Sequence, residues 1–242
     1  MNLLRPLSRR REEEERLALW NSFLIAFSVL LPLINPLGSA LVFLGIVGDA
    51  PPELFRSLAR RIAINNIIFL AIIELLGAAI LNFFGISLPI VQLAGGFVIT
   101  AIAWGLLNEK SAAATSKGKE DETGGQNLMR NQRLQEGAFY PFTFPITSGP
   151  GVLVGMLTLG AHSAGHALTE NILSHVGVFI AVIVLSVLCY FCYAYAPKIT
   201  KTISQSTAHG ILRVIAFILF CIGVQIAWNG VDSLLKPLLH ST

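Results

Sequence analysis

Residues 31–39 read LPLINPLGS, Leu31 to Ser39. Two prolines, an asparagine and a glycine sit inside a run with no charge between Arg16 and Asp49. A second uncharged run, between Glu136 and Glu170, carries a similar stretch, FPITSGPGV, at residues 144–152. Each run is more than 30 residues long, or about 48 Å of ideal helix against a hydrocarbon core of about 30 Å. Both are too long for one straight crossing, and both carry helix breakers near the middle. They read as broken or re-entrant helices.

The rest of the chain agrees with a membrane setting. Of 242 residues, 54% are hydrophobic and 13% charged, about half the charge of a soluble domain, and mean hydropathy is +0.68. Further apolar runs near Ile62–Phe84, Ser87–Asn108, Asn171–Pro197 and Ile211–Leu235 bring the predicted spans to six. FFGIS, Phe83–Ser87, is a tight connection that folds spans two and three into an antiparallel hairpin. The expected class is all-α, a polytopic membrane protein. The expected segments are a charged tail (1–16), a first three-span unit (17–108), a flexible polar linker (109–136), a second three-span unit (137–236) and a short tail (237–242). The start, MNLLRPLSRRREEEER, does not read as a cleavable signal peptide.

Charge placement suggests an orientation. The Asp49–Arg61, Glu109–Glu136 and Lys198–Arg213 loops hold Arg56, Arg60, Arg61, Lys110, Lys117, Lys119, Arg130, Arg133, Lys198, Lys201 and Arg213. The opposite side has Lys236 and the arginines of the N-terminal tail, which are followed by Glu12–Glu15. The positive-inside rule then makes the three loops cytoplasmic and puts both termini outside. The charge of +3 is accounted for by these loops and calls for no nucleic acid.

An odd number of spans per half means that a shared fold would be inverted in the second half. Pro32-Leu33-Ile34-Asn35-Pro36 faces Pro145-Ile146-Thr147-Ser148-Gly149-Pro150, and Ile102-Ala103-Trp104-Gly105 faces Ile226-Ala227-Trp228-Asn229. A 3+3 inverted repeat with discontinuous helices 1 and 4 is the pattern of secondary transporters, whose site lies at the midplane between the repeats.

INPLGSALVFL, the FGISLPIVQLAGG hairpin and FPITSGPG together resemble the MarC family, multiple-antibiotic-resistance-related membrane proteins that include neutral amino-acid transporters. The resemblance runs from about Phe23 to Leu235. It implies six spans, a bacterial inner-membrane location and transport of small solutes.

Broken helices leave backbone amides and carbonyls unpaired at membrane depth, tolerable only beside protein or a water-filled cavity. Freed amides attract a carboxylate, and freed carbonyls take an ammonium or a cation. A zwitterionic amino acid offers both groups. Asn35, Pro36, Gly38, Thr147, Ser148, Gly149 and Gly151 are therefore the candidate substrate-binding residues. The competing reading is a pair of packed kinks, with Gly151-x-x-x-Gly155 as a close-packing motif.

Glu74, the one carboxylate deep in a span, is the candidate for coupling to H+ or Na+. A hydrogen-bonded structural role is the alternative. Gln92, Thr100, Gln225 and Asn229 read as bonds between helices, with cavity lining as the alternative. Asn65, Asn66 and Asn82 read as interfacial, and Asp232 as a solvated boundary residue. Cys189-x-x-Cys192 reads as core rather than redox. His162 and His166, with His175 as a distant third, make a poor metal set. No cofactor is expected, and no P-loop is present. The oligomeric state, a homo-oligomer included, is left open. A non-transporting scaffold or sensor is the competing function. An intramembrane enzyme built on Ser148 lacks a histidine base deep in any span.

Overall fold

The computed structural model describes residues 7–108, 131–163, 168–202 and 205–239, and among them there is no strand. The chain is a bundle of helices: α1 (Leu7–Ile34), α2 (Pro36–Val47), α3 (Pro52–Phe83), α4 (Leu88–Asn108), the kinked segment α5 (Ala138–Thr147), α6 (Pro150–Ser163), α7 (Leu168–Ala194), α8 (Ala196–Thr202) and α9 (Gln205–Leu239). Three of them, α2, α3 and α6, begin on a proline, where the missing N–H would have had no partner anyway. Five candidate spans are long and apolar enough to cross a bilayer, Glu15–Val47, Pro52–Phe83, Leu88–Asn108, Asn171–Ala194 and Gly210–Lys236. The bent pair Ala138–Thr147 and Pro150–Gly160 makes a sixth when taken as one.

The helices extend into both expected tails. The charged N-terminal stretch is helical from Leu7 and continuous with the first span, and residues 237–239 extend α9. Of the expected linker, 109–130 lie outside the described residues and 131–136 are helical. The tight hairpin is present as expected. Gly85 adopts φ +65°, a left-handed value open to glycine, and Gly85 N and Ile86 N donate to Asn82 O and Leu81 O. α3 stops there and α4 begins at Leu88.

Helix directions follow from paired levels along the bundle. α7 runs antiparallel to α3: Arg56 lies over Tyr195, Asn66 bonds Ser186, and Glu74 bonds His175. The α1–α2 span runs parallel to α7, with Gly177 against Leu19 and Phe23 at one level and Phe43 stacked on Tyr193 at the other. α9 runs antiparallel to α4 in the most extensive helix contact among the described residues. At that crossing a Cβ on Gly96 would lie 2.4 Å from Ala227 N, and one on Gly230 would lie 2.6 Å from Pro89 O. The neighbouring Gly95 faces Val154 of α6 instead. Gly95-Gly96 thus admits two partners at once, one on each side of α4.

Cys189 and Cys192 are buried and unpaired, as the core reading expects. Asp232, partly exposed, pairs with Lys236 at 2.6 Å.

Candidate functional site

The two breaks differ in kind. At the first, Asn35 takes φ 45°, ψ 67°, a left-handed conformation that asparagine tolerates better than most residues. Its side-chain oxygen accepts from Gly38 N at 3.1 Å, capping α2. Gly38 is required there, since a Cβ would fall 2.2 Å from the Asn35 amide nitrogen. Helical hydrogen bonds still bridge the kink, Asn35 N to Leu31 O and Ser39 N to Asn35 O, both at 2.9 Å. Residues 15–47 therefore remain one candidate span. At the second, Tyr140 and Phe144 are extended inside α5, and the chain turns by 69° into α6.

One device repairs both breaks. Ser39 Oγ donates to Ile34 O at 2.7 Å, Thr143 Oγ1 to Ala138 O at 2.8 Å and Thr147 Oγ1 to Phe142 O at 2.7 Å. In each case a hydroxyl reaches the carbonyl five residues back, close to a proline that cannot donate. This is how broken helices stay satisfied in lipid. All three hydroxyl residues are buried.

The two breaks touch. Ser39 Oγ lies 3.3 Å from Ile146 O, and a Cβ on Gly151 would sit 3.4 Å from Leu33 Cδ2 and 2.9 Å from Ile99 Cγ1. From the second break a polar chain runs across the bundle. Ser148 Oγ donates to Asn66 Oδ1 of α3, and Asn66 Nδ2 donates to Ser186 Oγ of α7 at 2.9 Å. Thr147 Oγ1 also meets the Tyr193 hydroxyl of α7 at 2.7 Å. Asn66, Ser148, Ser186 and Tyr193 are each fully buried. Ser186 lies nearer the Ala194 end than the Asn171 end of its span, so the cluster sits about 5 Å off the middle of that helix, toward the basic loops.

Glu74 lies two turns further along α3, about 12 Å from Asn66. Its Oε1 is 2.8 Å from His175 Nδ1 of α7, and its Oε2 is buried without a partner among the described residues. Gly160 of α6 faces that carboxylate, a Cβ there falling 3.8 Å from Oε2. The Glu74 side chain is fully covered, while His175 is 31% exposed. Of the pair, only the histidine is partly exposed.

The family follows from the sequence match. The family model described as MarC family integral membrane protein matches residues 20–235. The chain belongs to the MarC family. MarC-family relatives named inner membrane protein MarC occur in Salmonella typhimurium, 27% identical over 212 residues (86% of this chain, 93% of the relative), and in Citrobacter koseri, 29% identical over 217 residues (86% and 93%). A membrane protein of Pyrococcus horikoshii is 26% identical over 211 residues, 87% of this chain and 94% of its own. No solved structure matches the chain.

Of the residues singled out in the MarC-type motifs, Thr147 and Ser148 join the polar cluster, and Pro36 is buried in α2. Asn35 and Gly38 serve each other within the first break and do not reach Thr147 or Ser148. Gly149 sits over its own turn, a Cβ there meeting Pro145 O at 2.9 Å. Gly151 lies between Ile99 of α4 and Leu33 of α1, and Gly155 lies against Leu33, Leu30 and Val29 of α1.

Asn66, Thr100, Gln225 and Asn229 depart from expectation. Asn66 is core, not interfacial, because Ser148 and Ser186 satisfy its amide inside the bundle. Thr100 bonds Gly96 O, and Gln225 bonds Asn229, each within its own helix rather than between helices. Glu74 has its partner on span five, and that partner is a histidine. The side chains of His162 and His166 lie outside the described residues, among which no metal-holding cluster occurs.

Isolated polar groups in apolar helices carry no spacing signal, so the sequence does not mark the roles of Ser186, Tyr193 and His175. A usable signal does exist for α5. Tyr140-Pro141-Phe142-Thr143 and Phe144-Pro145-Ile146-Thr147 are a tandem aromatic-Pro-x-Thr repeat, one copy for each repaired turn.

Proposed function

We propose that this protein is an inner-membrane secondary transporter of small solutes, with neutral amino acids as its substrate class. The observation that carries the reading is the buried polar cluster at the second break, where Thr147 and Ser148 are held by side chains of α3 and α7. A scaffold has no use for hydroxyl and amide groups gathered across three elements inside a membrane, each costly to desolvate. A transporter does, because a substrate's ammonium and carboxylate can replace those mutual hydrogen bonds one for one. Asn35, Pro36, Gly38, Thr147, Ser148, Gly149 and Gly151 form the proposed substrate-binding region. An inverted 3+3 repeat is part of this reading, in which α3 is the counterpart of α7 and α4 of α9, the two pairs that lie antiparallel.

Glu74, bonded to the partly exposed His175, is the proposed site for coupling to H+ or Na+. It lies about 12 Å from the cluster along α3, far enough for the ion and the solute to occupy separate places. The inner-membrane location rests on the names of the bacterial relatives.

The test is uptake of labelled alanine, glycine and serine into proteoliposomes, with and without H+ and Na+ gradients. The expected result is gradient-stimulated uptake that Ser148→Ala and Thr147→Val each reduce at least tenfold without loss of folded protein. Absence of uptake, efflux and exchange across a broad solute panel would overturn the reading.

A further inference from the structure

α3 and α7 leave a groove of about 480 Å³ on the outside of the bundle, lined by Arg60, Ala63, Ile64, Ile67, Val187 and Tyr190. That volume is within the range of small-molecule sites. Its position is unlike that of the polar cluster. Ile64 is 46% exposed and Val187 44% exposed, and both lie on candidate membrane spans, so the groove opens onto hydrocarbon. Ala63, Ile64 and Ile67 follow Arg60 at three, four and seven residues, the spacing of one helix face. The small Ala63 makes the floor, and the cation stands at one end.

Arg60 differs from the other two arginines of this helix end. The Arg56 guanidinium lies 6.0 Å from the Tyr195 ring centroid, and Arg61 donates to Gln135 O at 3.5 Å. Arg60 is exposed and has neither a carboxylate nor a carbonyl partner among the described residues. Lys198, 5.8 Å from the same Tyr195 ring, adds positive charge at that level. The combination is an apolar trough at membrane depth capped by a guanidinium without a partner among the described residues, within a basic zone. A guanidinium matches two phosphate oxygens at once, and the surrounding positive charge disfavours a headgroup that brings its own ammonium.

We propose that this groove seats an acyl chain of an anionic phospholipid, with the phosphate held by Arg60. Basic pockets between spans on the cytoplasmic side commonly take such headgroups. Binding here ties α3 to α7 from outside, on the two helices that carry Asn66 and Ser186. The proposal does not depend on what the protein transports.

The experiment is lipid retention by the full-length protein in neutral detergent, read by native mass spectrometry and by the shift in melting temperature. Phosphatidylglycerol and phosphatidylcholine of matched acyl chains are compared, with inorganic phosphate as the third arm. Phosphatidylglycerol should be retained preferentially and should raise the melting temperature. Arg60→Gln should cut that preference about fivefold, the worth of one basic side chain at an anionic surface. Ala63→Trp, which fills the trough from its floor, should remove retention of both lipids. Lys236→Gln, at the far end of α9, should change neither. Equal retention of the two lipids by wild type, or an unchanged preference in Arg60→Gln, would overturn the proposal. So would an equal melting shift with phosphate alone, which would make this an anion site without a lipid. Arg60 is on the surface, so its variant tests the idea even if Ala63→Trp misfolds.

Discussion

Asn66 is the residue on which the cluster turns, because one amide serves as acceptor for Ser148 and donor to Ser186. Asn66→Ala removes both bonds and leaves two hydroxyls to repartner. Interhelical hydrogen bonds within membranes average about 0.6 kcal/mol and reach about 1.7 kcal/mol, so the expected loss is about 1–3 kcal/mol for the two. Steric trapping or denaturant unfolding of Asn66→Ala, Ser186→Ala and the double variant measures it. Additivity of the two single losses would mean that the bond contributes nothing. Glu74→Gln keeps the size of the side chain and a hydrogen bond to His175 while removing the charge. It should abolish ion-driven uptake with expression and melting temperature unchanged, and uptake that still follows the gradient would exclude Glu74 from coupling. Glu74 itself stood out in the sequence because a lone carboxylate in AIIELLGAAI is conspicuous. Its partner did not, because His175 lies 101 positions away and only the antiparallel register of α3 and α7 brings it to the same level. Asn66 was masked by its place only five residues beyond Arg61, which suggested the interface and concealed a buried face.

Among the elements, glycine separates close contact from mere permissiveness. Gly96 abuts backbone atoms of α9, and its Cβ would lie 2.4 Å from Ala227 N and 2.6 Å from Gly223 O. Backbone cannot yield as a side chain does, so Gly96→Ala should push α4 from α9 and lower the melting temperature. Gly45 and Gly105 are helical, and a Cβ added to either would meet nothing within 4 Å. Replacing either by alanine should stabilise its helix by up to about 0.8–1.0 kcal/mol. A melting series over the three variants checks the contrast, and equal behaviour would refute the contact assignment. Which neighbour Gly95 and Gly96 each serve, Val154 or the backbone of α9, is not written in the sequence. The two breaks were legible as breaks from their prolines, but not their severity. At the first, Pro36 begins a new helix and Asn35 caps it, so the axis continues. At the second, prolines four residues apart, Pro141 and Pro145, each interrupt a turn, and the axis swings by 69°.

At the scale of the molecule, the count of crossings rests on that bent pair. α3 and α4 are joined by a tight hairpin and run in opposite directions. α7 opposes α3, so it runs the same way as α4. The chain therefore leaves α4 at the basic end and enters α7 at the opposite end, and the segment between them has to make the crossing. Side-chain levels trace it doing so. Gln135 meets Arg61, Ser148 meets Asn66, and Gly160 faces Glu74, while Leu157 lies against Gly77. From Arg61 to Gly77 is about 24 Å along α3, most of the hydrocarbon thickness. The bent pair is short for a span because α5 contributes turns that are only partly helical, and extended residues such as Tyr140 and Phe144 cover more distance each. Reporter fusions decide the matter. With six crossings, a reporter inserted at Gly124 and one fused after Thr242 stand on opposite sides, since three crossings separate them. The positive-inside bias of the Arg56–Arg61 and Lys198–Arg213 loops then predicts fluorescence from green fluorescent protein at Gly124 and activity from alkaline phosphatase at the C-terminus. Reporters on the same side would mean that α5–α6 turns back within the membrane. That result would leave five spans and remove the inverted repeat, and with it the structural basis for alternating access.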